Sequence, residues 1–177
     1  MNIQTRLGQL NANSGLFKAA AAGVTTDAGL TVTATGLILY NPLASTVNLV
    51  VKRVGYAFTV AFAAAAAVGI SVGNSASALT GITAATVYPN QAGTGGAGQG
   101  LAATAATLPA APHVDTILGA GDTGAITTSP FGESAMYDVE GSIILTPGAY
   151  CKLYTSAASG ASGTFASIEW YEVPANQ

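Results

Sequence analysis

The sequence predicts an all-β protein, an antiparallel β-sandwich or jelly roll with an N-terminal arm. Three observations carry that expectation. Short apolar runs alternate at the two-residue period of a strand, Gly-, Pro- and Ser-rich spacers punctuate them, and no segment shows helical periodicity with proper caps. The 177 residues suffice for one well-buried core, or at most two small ones. Neither a compositional break nor a repeat of fixed period divides the chain. Residues 1–28 therefore read as an arm, and residues 29–177 as a single sandwich domain with a long loop at 89–112.

The arm is polar at first, then Ala-rich at Ala19–Ala22, then turn-like at Thr25-Thr26-Asp27. Strands follow. Leu30-Thr31-Val32-Thr33 and Leu37-Ile38-Leu39-Tyr40 alternate, and Asn41-Pro42 closes the second run as a turn. Val47 to Val60 is the strongest element, apolar on much of both faces, with Gly55 expected to mark a bulge or bend. Val68–Val72 and Ile82–Tyr88 add two more. From Pro89 to Pro112 the chain turns to Gly, Ala, Thr and Gln, as a long loop or a segment ordered by a neighbour would; Ala-rich 101–107 has room for a helical turn or two. Val114–Leu118, Ala135–Val139, Ser142–Leu145, Ala149–Thr155 and Thr164–Val173 complete the set. Pro147-Gly148 is a tight-turn signal, and Ser156–Gly163 reads as a flexible hairpin tip. The last strand alternates Phe165, Ser167, Glu169 and Tyr171 against Ala166, Ile168, Trp170 and Glu172 before Pro174 ends it.

Only 7% of the chain is charged, half is hydrophobic, and no Asp, Glu, Lys or Arg occurs between Arg53 and Asp115. A water-exposed monomer intersperses charge over about a quarter to a third of its surface. A folded chain that does without is covering that surface with partner subunits, a lattice or a membrane. Five Lys and Arg at a net charge of −3 cannot make a phosphate-neutralising stripe, so no direct nucleic-acid partner is expected. Val54 to Gly73 is uncharged, follows Lys52-Arg53 and is long enough for a membrane span. Gly55, Thr59, Gly69, Ser71 and Gly73 interrupt it, its Ala63–Ala67 block is weakly apolar, and its first half alternates as a strand does, so no membrane partner is expected. Polar Met1–Arg6 does not read as a signal peptide, and none is expected. The single cysteine, Cys151, can form no internal disulfide, and its flanks suit a small buried strand residue.

Several motifs resemble chemistry. Gly69-Ile70-Ser71-Val72-Gly73 matches the nucleophile elbow, but that motif needs a strand-to-helix turn followed by an acid and a histidine. No acid lies between Ser71 and the only histidine, His113. Gly93–Gly98 matches the dinucleotide fingerprint, with Asp115 at a suitable distance, yet 101–108 is short and Thr-rich for the helix that must hold a pyrophosphate. Asp122-Thr123-Gly124 matches the aspartic-protease loop, which a homodimer could pair; it is also an ordinary turn. One His and one Cys cannot close a zinc site. Glu133, Asp138 and Glu140 offer oxygens for calcium but read more simply as solvated acids. Tyr150, Tyr154, Trp170 and Tyr171 suggest a sugar-stacking platform, although Trp170 and Tyr171 alternate faces. No catalytic residue, cofactor or metal is expected.

Three stretches carry a resemblance. Gly36–Pro42 runs into Val47–Phe58; Leu145-Thr146-Pro147-Gly148-Ala149-Tyr150 follows later; Phe165–Glu172 closes the chain. Together they resemble small jelly-roll cement or decoration proteins of tailed bacteriophages. The likeness spans most of residues 30–173 and rests on fold-like motifs. It implies a virion structural protein, made in the host cytoplasm and seated as a homotrimer on the outer capsid. There it binds the major capsid protein between capsomers and stabilises the DNA-filled head. On this reading residues 1–28 and the 89–112 loop make the contacts. The candidate interface residues are Arg6, Leu7, Leu10, Leu16, Phe17, Tyr88, Leu101, Leu108 and His113. The alternative is a receptor- or glycan-binding module of a tail or fibre, and a homodimeric aspartic protease is a third class.

Overall fold

The computed structural model describes residues 15–62, 64–90, 97–121, 134–139, 141–160 and 163–175. Twelve strands occupy them: β1 (Leu16–Val24), β2 (Thr33–Tyr40), β3 (Val47–Phe58), β4 (Ala66–Asn74), β5 (Thr80–Ala85), β6 (Val87–Pro89), β7 (Leu101–Thr107), β8 (His113–Gly121), β9 (Ser134–Asp138), β10 (Ile144–Leu145), β11 (Ala149–Thr155) and β12 (Thr164–Pro174). Sheet I runs β10-β3-β12-β1-β6, with β9 also on β3; sheet II runs β5-β7-β2-β11-β4-β8. All the pairings are antiparallel, and the two sheets form the predicted all-β sandwich.

Nested pairs organise it. β1 pairs with β12 and β2 with β11, while β3 pairs with β9 and β10, and β4 with β8. The chain thus crosses between sheets at each step from β1 to β4 and retraces the route on its way back. Between β4 and β8 it adds β5 and β7 to the margin of sheet II and β6 to the margin of sheet I.

The core lies between the sheets. Strand β3 shows why its sequence looked apolar on both faces. Its inward residues are Leu49 and Val51, then Val54, Tyr56 and Phe58. Glu169 pairs with Arg53 and Trp170 with Val51, which leaves Lys52 as an extra residue. This bulge shifts the inward phase by one. The bulge expected at Gly55 is therefore at Lys52; Gly55 pairs in register with Ser167 and Met136. Against β3 pack Phe17 and Ala19 of β1 and Ile168 and Trp170 of β12; opposite them are Leu37, Leu39, Val68, Ile70, Cys151 and Leu153 of sheet II. Trp170 is fully buried, its ring stacked 6.1 Å from that of Phe17.

Other expectations need correction. The arm of 1–28 does not extend through residues 16–24, because Phe17, Ala19 and Ala21 are buried as the inward face of β1 between β12 and β6. The 89–112 loop contains β7, paired on both sides, so 101–107 is strand rather than helical turn. Leu30–Val32 precedes β2 instead of joining it, and Ile82–Tyr88 divides into β5 and β6 on different sheets. Ser156–Gly163 is no hairpin tip: it connects β11 in sheet II to β12 in sheet I. Ser159 in it is buried, accepts from the Thr26 amide at 2.9 Å and is bonded by the Thr164 hydroxyl at 2.7 Å. The Pro147-Gly148 turn forms as expected. The Ala149 amide donates to the Thr146 carbonyl at 2.9 Å, and Gly148 sits at φ 88°, where a side chain would be strained.

Candidate interaction surface

Strand alternation points every second residue of β9, β3, β12 and β1 away from the core. Register then aligns them across sheet I. Asp138 pairs with Arg53, Arg53 with Glu169, and Glu169 with Lys18. A line of charges, alternately negative and positive, thus crosses four strands and meets Tyr88 of β6 beside Lys18. Arg53 Nε donates to Asp138 Oδ1 at 2.8 Å, with the side chains 35% and 63% exposed. Of five Lys and Arg and eight Asp and Glu, two of each stand in this one line.

The next line holds Met136, Gly55, Ser167 and Ala20, and the one beyond it Ser134, Ala57 and Phe165. Together they shape a shallow groove of about 540 Å³. Its floor is Gly, Ala and Ser, while Met136 and Phe165 stand 63% and 40% exposed. Such a surface presents apolar knobs, small-residue hollows and a charged border. Neither a His nor a Cys is among its described lining residues.

The outer face of sheet II differs. Ile38 and Tyr150 of β2 and β11 pack there with Ala34, Ala103, Ala106 and Leu108 as a second cluster. Loops cover it: the Leu108 amide donates to the Val32 carbonyl at 2.7 Å, and the Tyr150 hydroxyl to the Ala110 carbonyl at 2.6 Å. Beneath the 25–32 connection Lys152 Nζ donates to Asp27 Oδ2 at 2.6 Å, both side chains largely buried. Asp27 also accepts from the Thr31 hydroxyl and the Thr35 amide. Burial raises the Tyr150 hydroxyl above its usual pKa.

The sequence-derived candidates scatter. Arg6, Leu7 and Leu10 lie outside the described residues. Leu16, Phe17 and Leu108 are buried within the chain and cannot face a partner as placed, while Tyr88, Leu101 and His113 are exposed. Trp170 and Tyr150 are fully buried and Tyr171 nearly so, with Lys52 Nζ 5.5 Å from the Tyr171 ring centre; the four aromatics form no open sugar platform. Ser71 is buried in mid-strand, without the elbow its motif requires. Strand β7, not a helix, follows the Gly93–Gly98 motif, most of which lies outside the described residues. The Asp122-Thr123-Gly124 loop, Glu133 and Glu140 lie outside them as well. No group of three metal-ligating side chains occurs among the described residues, and no helix there is long and apolar enough to cross a membrane.

Two further groups are structural. Glu172 accepts from the Gln99 and Gly100 amides at 3.0 and 2.7 Å. This pins the segment where Gly100 passes so close to Trp170 that a Cβ would lie 2.8 Å from its indole nitrogen. Cys151 is buried as expected, and desolvation pushes its thiol up to about 12, helped by Asp115 and opposed by a bond with Leu39. Sequence reasoning missed the Asp138–Arg53–Glu169–Lys18 line and the Phe165–Met136 groove. The alternation of Phe165, Ser167 and Glu169 was visible, but their neighbours are set by register. No protein-family model matches the chain, and no curated protein or solved structure matches it either.

Proposed function

We propose that the nested strand pairing is that of a jelly roll and that the chain is a virion structural protein, a decoration protein that binds between capsomers on the outer phage head. It acts by contact alone, with the major capsid protein and copies of itself as partners. One observation supports this reading above the others: the stretch of the outer face of sheet I from the charged line to the Phe165 line is exposed at Lys18, Ala20, Ser134, Met136 and Phe165, and it is small-residued and carries no charge beyond that line. Covering such a face costs little desolvation and gains about 25 cal/mol for each Å² of apolar area removed from water. A protein with that face bare is suited to a neighbour.

The test is attachment. Particles purified on a density gradient from a lysate of the encoding phage are analysed by quantitative mass spectrometry. The chain is expected in stoichiometric amounts, and stripping it with mild chaotrope is expected to lower the temperature at which heads release DNA. Its absence from purified heads overturns the reading. Presence in isolated tails alone moves the chain to the receptor-binding alternative.

A further inference from the structure

We propose that the outer face of sheet I is a twofold contact between two copies of this chain, stacked face to face about an axis parallel to the strands and midway between β3 and β12. The proposal uses no property of a viral shell; it starts from the same exposed stretch of sheet I as the decoration reading and assigns that stretch to a second copy of this chain.

The charge order is the first ground. Across β9, β3, β12 and β1 it reads negative, positive, negative, positive at Asp138, Arg53, Glu169 and Lys18. A twofold axis along the strands keeps each line at its own level and reverses its order. Asp138 then meets the partner's Lys18, and Arg53 meets the partner's Glu169, giving four attractive pairs by symmetry. Other placements fail. Moving the axis onto β3 sets Arg53 against the partner's Arg53. An axis across the strands drives the charged line into the partner's Ala57 and Phe165, where desolvated charge is unpaired.

Side-chain size is the second ground, and it comes from different residues. The same operation sets Met136 opposite the partner's Ala20 and Phe165 opposite the partner's Ala57. Both exposed large side chains thus meet hollows, and Gly55 meets the partner's Ser167. Facing sheets pack about 10 Å apart by this interdigitation.

The patch also bounds the affinity. Strands lie about 4.8 Å apart and like-facing residues about 6.8 Å along them, so three lines on four strands cover roughly 400 Å² per copy. That is about half of a standard interface, which places the dimer in the weak, salt-sensitive class. Many copies held side by side raise its effective strength through local concentration.

The experiment is sedimentation equilibrium of the full chain over a concentration series at low salt, with Arg53→Glu and Glu169→Arg measured singly and mixed. Each substitution sets like charges against each other in its own homodimer, whereas in the mixture all four pairs are attractive. Expected are a concentration-dependent wild-type dimer, at least tenfold weaker self-association of each variant, and recovered heterodimer on mixing. Circular dichroism melts confirm that both variants fold, and Met136→Asp, at a 63% exposed site, serves as a second variant expected to dissociate the dimer. A wild type that stays monomeric at every concentration, a trimer, undiminished self-association of the variants, or no heterodimer on mixing overturns the proposal.

Discussion

On the outer face of sheet II, Lys152 is 1% exposed beneath a loop, its ammonium against Asp27. On the outer face of sheet I, Arg53 and Asp138 make a pair of nearly the same length but are 35% and 63% exposed. Both are salt bridges, yet their surroundings make them different objects. The buried pair must be complete, because either ion left alone in a low-dielectric site costs several kcal/mol. Water and salt screen the exposed pair, which contributes little to folding. The chain has closed one back of its sandwich with its own loops, whereas on the other the stretch from the charged line to Phe165 stands exposed and only Leu16 and Tyr171 beyond it are buried among the described residues of β1 and β12 that face outward. That asymmetry, more than the overall scarcity of charge, is the ground on which the proposed contact is placed on sheet I.

The largest effect should come from breaking the covered face. Lys152→Ala leaves the Asp27 carboxylate with Thr31 and Thr35 as its donors among the described residues and should destabilise the fold by about 3–5 kcal/mol in chemical denaturation. Combining Lys152→Met with Asp27→Asn removes both charges and should recover at least half of that loss. If the double variant is no better than Lys152→Ala, the penalty arises from packing rather than from an unpaired charge.

Alkaline titration probes the interior beneath both faces. The Cys151 thiol ionises near its ordinary 9 when the chain is unfolded and near 12 when folded. The unfolded state therefore binds fewer protons between those values, so stability present below pH 9 is lost as pH rises towards 12. The limiting slope is about 1.4 kcal/mol per pH unit. Burial raises Tyr40 and Tyr150 in the same direction, steepening the loss. Denaturant midpoints of wild type and Cys151→Ala across pH 8–11 separate the contributions. An identical slope in the two would remove the thiol from the account. Cys151 should also resist thiol reagents at pH 8 until denaturant is added.

How much of this was legible in the sequence depends on the residue. Strands rich in β-branched and aromatic side chains, such as β3 and β12, announce themselves. Strands β1 and β7 do not, because Ala19–Ala22 and 101–107 are built from Ala and Thr, whose composition also suits an arm or a loop. Both are strands because close neighbours pair on either side of them. The apparent two-faced apolarity of Val47–Val60 was a phase slip at Lys52, invisible without its partner strand. The charged line is the extreme case. Its four residues come from four separate strands, and only register, fixed by the whole sandwich, sets them side by side.

A further variant tests the cover itself. Tyr150→Phe removes the hydroxyl that donates to the Ala110 carbonyl and leaves the ring in the second cluster. The expected cost is about 1 kcal/mol, with faster amide exchange confined to the 108–112 segment. Exchange that rises evenly over sheet II would mean the bond secures the sheet rather than its covering.

The smallest expected effect lies on the open face and decides whether the comparison holds. A double-mutant cycle on Arg53→Ala and Asp138→Ala, measured at concentrations where the chain is monomeric, should give a coupling of about 0.2–1 kcal/mol at low ionic strength. In 1 M salt, where the Debye length shrinks to about 3 Å, that coupling should approach zero. A coupling above about 2 kcal/mol that survives salt would put this pair in the same class as Lys152 and Asp27. The line would then be part of what holds the monomer together, and charge reversal could not separate folding from association. A small, salt-sensitive coupling leaves Arg53 structurally dispensable, which is the property a contact residue on a bare sheet needs.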